Sequence, residues 1–71
     1  MKIEDMIEQA QQWGGRTEWI KPYLGKLTKE ELTQLAHTLD KEYTKAEEAG
    51  ETHKQWCIAS LEEAIAEVYT D

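Results

Sequence analysis

Leu27–Gly50 reads LTKEELTQLAHTLDKEYTKAEEAG, and its first six residues mark where a long helix begins. Thr28 and Glu31 have the TxxE spacing of a capping box, in which each side chain satisfies the other residue's free backbone N–H. Leu27 and Leu32 stand at the two positions of a hydrophobic staple, which sets the angle at which the chain enters the helix. Beyond that start, Leu32, Leu35, Ala36, Leu39, Tyr43 and Ala46 recur on one narrow face at helical spacing. Gly50 lies where a C-terminal glycine cap is expected. The pattern predicts a helix over residues 29–49.

Toward the C-terminus, a further helix is expected over 53–70, with Thr52 and Gln55 as a second capping box. Its apolar face is Cys57, Ile58, Leu61, Ala64, Ile65 and Val68. The short link at Gly50 favours an antiparallel pair. The apolar phase also runs smoothly through Gly50, which leaves one bent helix from 28 to 70 as the alternative. A helix of that length would have to dimerise to bury its stripe.

Toward the N-terminus, Ile3, Met6, Ile7, Ala10 and Trp13 form an apolar arc of roughly 120°, which predicts a helix over 2–13 ended by Gly14 and Gly15. Residues 16–27 hold Trp19, Ile20, Tyr23 and Leu24 and predict a short helical segment over 18–24, made irregular by Pro22 and closed by Gly25. Three single-striped helices close most simply into a three-helix bundle, an all-α fold of one domain over 1–71, with residues 16–27 packed across one end.

Composition narrows the function classes. Six Leu, five Ile, one Val and no Phe are thin core material for 71 residues, with three Trp and three Tyr supplying the bulk. A core of this size supplies roughly 3–5 kcal/mol, so association is a standing expectation. Fifteen Asp+Glu against eight Lys+Arg give a net charge of −7, which weighs against phosphate-backbone binding and toward partners with basic surfaces. No apolar run is long enough to span a membrane. Cys57 has no second cysteine to bridge to, and Glu4, Asp5 and Glu8 interrupt the stretch where a leader would lie, so a cytoplasmic location is expected.

Residues that carry chemistry are few. There is no phosphate loop, GxSxG or paired CxxC. His53 and Cys57, at i and i+4, share a helix side and supply two ligands of the four that a structural zinc site needs, with His37 as a third only if the fold brings it across. The competing reading makes Cys57 a small buried hydrophobe and His53 an exposed first-turn residue. As a nucleophile and base the same pair is poorly placed, since a thiol in the core is less acidic and less reachable. No cofactor is expected, and the chain is not expected to be an enzyme.

Trp56 falls roughly 100° from the centre of its helix's apolar arc, on the side of Glu63 and Glu67. A large aromatic among carboxylates suits a binding hot spot. The alternative is a core Trp covered by the first helix or by the segment around Trp19. Glu63, Glu67 and Asp71 sit near a helix C-terminus, where negative charge opposes the helix dipole at roughly 0.3–1 kcal/mol for an exposed group. Arg16, Lys21 and Lys26, interleaved with Trp19 and Tyr23, resemble single-strand binders in residue type only. Nucleic-acid binding is therefore not expected.

The candidate partner-binding set is Trp56, Glu63, Glu67, Asp71 and Trp19. The function expected is a non-enzymatic protein-binding module: an acidic helical inhibitor or regulator that docks on a basic protein surface, such as a nucleic-acid-binding site. Phage-encoded modulators and immunity proteins share its size and charge but no motif. Two alternatives stand beside it. One is an obligate homodimer or assembly subunit, in which Trp13, Trp19 or Trp56 completes the core. The other is metal or catalytic chemistry at His53 and Cys57.

Overall fold

A computed structural model describes residues 1–70. Four helices make up the fold: α1 (Ile3–Gln12), α2 (Lys21–Leu24), α3 (Lys29–Glu48) and α4 (Thr52–Thr70). The expected small all-α bundle is the one observed, with three long helices packed together.

The capping box at the start of α3 is complete. The Glu31 N–H donates to Thr28 Oγ1 at 3.1 Å and the Thr28 N–H donates to Glu31 Oε1 at 2.9 Å. Leu27 is partly buried against the core and Leu32 is a buried member of it.

Residues 28 to 70 form a hairpin, and the single bent helix is excluded. Gly50 takes φ +72°, the Glu51 N–H donates to Ala46 O at 2.9 Å, and the Gly50 N–H donates to Glu47 O at 3.1 Å. These two bonds define a Schellman motif, which satisfies the last carbonyls of α3 and turns the chain back. Apolar periodicity is blind to this turn because an antiparallel partner can carry the same phase onward.

The start of α4 differs from expectation by one residue. Thr52 is already helical. The position before the helix belongs to Glu51, whose carbonyl accepts from the Gln55 N–H at 3.0 Å. Thr52 and Gln55 therefore do not form the second capping box.

The core is Met6, Ile7 and Ala10 of α1, Ile20 and Leu24, Leu32, Leu39 and Ala46 of α3, and Cys57, Ile58, Leu61, Ala64 and Ile65 of α4. No polar side chain is buried among the described residues. α4 is the helix against which each of the others packs. Each large side chain fully removed from water contributes about 1.5–3 kcal/mol, so the fold rests on this helix most heavily.

Residues 16–27 lie across one end of the bundle only in their second half, where Tyr23 Oη accepts from the Met1 amino group at 3.3 Å and Leu27 lies beside Ile3 and Leu35, so that the chain passes from α4 over to the starts of α1 and α3. A Cβ at Gly15 would touch the Trp56 ring, and Lys21 Nζ lies 2.9 Å from Glu67 Oε2, so the first half, residues 15–21, runs along α4 from its first turns to its last. That path covers eleven residues of α4, about 16 Å at 1.5 Å per residue. Ile20 and Leu24, four residues apart and both fully buried, face the same way and hold it there. Pro22 is accommodated because α2 starts at Lys21, placing it in the first turn where a missing N–H costs nothing.

Trp13 also departs from its predicted place in the apolar stripe of α1. The helix ends at Gln12 and the chain turns through two positive-φ glycines, leaving Trp13 54% exposed at the end of the bundle.

Candidate protein-binding surface

Trp56, Ser60, Glu63 and Glu67 lie at i, i+4, i+7 and i+11 along one side of α4, the side flanked by residues 15–21. Trp56 remains 56% exposed although its ring rests on the backbone of Gly15. Gly15 has φ +84°, and a Cβ there would come within 2.6 Å of Trp56 Cζ3. Glycine is thus required twice, by the backbone conformation and by the approach of the indole. The His53 ring lies near the indole, at 6.2 Å between centroids and tilted by 32°. The turn after α1 lies against one part of the Trp56 ring while the rest faces solvent, so the indole is not a core residue.

The acidic positions divide. Glu67 is paired with Lys21 at 2.9 Å. Glu63 is exposed and has no ion pair among the described residues. Asp71 lies outside the described residues. Trp19 is half-buried against the core, with its Nε1–H donated to Arg16 O at 2.6 Å, so its polar atom is satisfied within the segment. Trp13, missed as a surface residue, is brought beside this region by the Gly14–Gly15 turn. The doubled glycine after an apolar helix end is the sequence signal that marks it.

Cys57 is fully buried, with Sγ 3.7 Å from His53 Nε2. Burial pushes the thiol pKa up, which disfavours the thiolate that a nucleophile or a metal ligand needs. His37 is exposed on α3. Among the described residues, no three His, Cys, Asp or Glu side chains are grouped to hold a metal ion. No described helix is long and apolar enough to cross a membrane.

Comparison with protein-family models, curated proteins and solved structures returns no match for this chain.

Proposed function

We propose that this chain is a non-enzymatic protein-binding module that docks the Trp56 side of α4 on a basic surface of a partner protein, as an inhibitor or regulator of it. One observation carries the reading. Trp56 is 56% exposed and yet packs one part of its ring on Gly15, whose missing Cβ admits the indole there. An aromatic already packed on one side loses less freedom on binding than a fully free one, and Trp is enriched among residues that dominate interface energies. Glu63, one turn beyond Ser60 and without an ion pair, supplies the adjacent charge, and the net charge of −7 steers the approach of a basic partner.

The test is capture from host lysate by the immobilised chain at low and high salt. Trp56→Ala and Glu63→Lys serve as separate variants, both leaving the Lys21–Glu67 pair intact. The expected partner is retained by the parent chain, released by salt, and bound at least about tenfold more weakly by Trp56→Ala, the loss of a hot-spot residue. Glu63→Lys is expected to slow association more than it speeds dissociation. A partner held equally by the parent and both variants, or indifferent to salt, refutes the proposal.

A further inference from the structure

The opposite side of the hairpin carries a second feature. A shallow groove of ≈ 330 Å³ lies between α3 and α4, floored by Leu32 and Ile65 and walled by Ala36, Ala66 and Tyr69. It faces away from α1, whose Ile3 and Ile7 lie beside Leu35 and Glu42 on the other side of α3. Its ends have opposite charge. Glu62 closes one end, where burial and, after it, the negative charge of nearby Asp40 raise its pKa. At the other end Lys29 Nζ sits 5.3 Å from the centre of the Tyr69 ring. Lys29, Asp40 and Glu62 form no ion pair among the described residues.

We propose that this groove is the contact face of an antiparallel homodimer, in which Lys29 of each copy meets Asp40 and Glu62 of the other. Lys29 and Asp40 are eleven residues apart on one helix, about 16 Å. A two-fold axis crossing the hairpin midway between them passes between Thr33 and Ala36, beside Ala66. These are among the shortest side chains of the groove, so the two hairpins approach closely where the axis lies. The axis reverses the helix direction and brings each cationic end onto the other copy's acidic end. A parallel arrangement sets Asp40 and Glu62 of one copy against the same carboxylates of the other and is disfavoured by like charge.

The contact is small. The overlap is about 20 Å along the helices, and the 33 × 21 × 20 Å molecule is about as wide, giving roughly 400 Å² per copy. Stable interfaces bury about 800 Å² per partner, so this dimer is weak and reversible. It is independent of the Trp56 surface, which lies on the other side of α4.

Sedimentation equilibrium of the intact chain from about 10 μM to about 1 mM tests it, across the range in which a weak interface assembles. The parent chain is expected to be monomeric at the low end and substantially dimeric at the high end. Ala66→Arg, at an exposed position on the axis, is expected to leave only monomer. Lys29→Glu and Asp40→Lys are each expected to weaken association about tenfold or more, and the two combined to regain most of that loss, because the attraction is restored with reversed sign. Thermal melts at about 10 μM establish that each variant folds. A monomer at every concentration overturns the proposal, even if a helix of another protein is later found in the groove. A dimer indifferent to Ala66→Arg, or a charge swap that restores nothing, overturns it equally.

Discussion

Replacing Gly15 by alanine imposes two costs on the structure, and the neighbouring glycines separate them. At φ +84° an L-residue carries the steric cost of the left-handed region, roughly 1–2 kcal/mol. The new methyl would also lie 2.6 Å from Trp56 Cζ3, so the indole must swing away. Trp56 is 56% exposed and has room to move, so that second cost is a rotamer displacement and a lost contact, about 0.5–1.5 kcal/mol. Gly14 and Gly50, at φ +62° and +72° with nothing within 4 Å of an added Cβ, carry the first cost alone. Gly14→Ala and Gly50→Ala are therefore expected to lower Tm by about 4–8 °C for each kcal/mol lost, in line with a domain of this size. Gly15→Ala is expected to lower it by several degrees more. The assay is thermal unfolding by circular dichroism for all three variants, repeated with Gly14→Ala and Gly15→Ala in a Trp56→Ala background. There the excess for Gly15→Ala over Gly14→Ala should vanish, as a double-mutant cycle requires when one contact is responsible. An excess that is absent in the parent, or unchanged without the indole, refutes the claim that Gly15 seats Trp56.

Two ionisable groups give predictions of definite sign. The Cys57 thiol is fully buried and its pKa is raised, so alkylation of the native chain at neutral pH is expected to run about 10²–10⁴-fold slower than in denaturant, the factor set by an opening free energy of roughly 3–5 kcal/mol. A thiol that reacts equally fast in both states refutes its place in the core. The Glu62 carboxyl is raised by burial and by Asp40, so its contribution to stability is fully present below its ordinary value of 4.5 and is lost as pH rises through the higher folded value. Glu62→Gln is accordingly expected to stabilise the monomer at neutral pH by a few tenths of a kcal/mol, the scale of partly exposed charge interactions. The advantage should fade as pH falls below 4.5 in melts at low protein concentration, and an advantage that persists or grows there contradicts the assignment.

The helices were legible in the chain because local chemistry determines them. Thr28 with Glu31 starts α3, Gly14 with Gly15 ends α1, and the spacing of Leu32, Leu39 and Ala46 or of Cys57, Leu61, Ala64 and Ile65 marks which faces are buried. Burial of Cys57 followed from the same periodicity. The path of residues 16–27 was legible only in part: the crossing of the bundle end holds for Tyr23 to Leu27, but a four-residue helix has too little pattern to show that the chain first returns along α4, which the packing of Ile20 and the Lys21–Glu67 pair decided. The choice of hairpin over continuous helix also lay with tertiary structure, since apolar phase is conserved through Gly50 in either case. At the candidate surface, the spacing of Trp56, Glu63 and Glu67 placed them on one side of a helix. Only the fold tied Glu67 to Lys21, seated the indole on Gly15 and left Glu63 without an ion pair, because ion pairs and close approaches join residues whose separation along the chain carries no periodic signal.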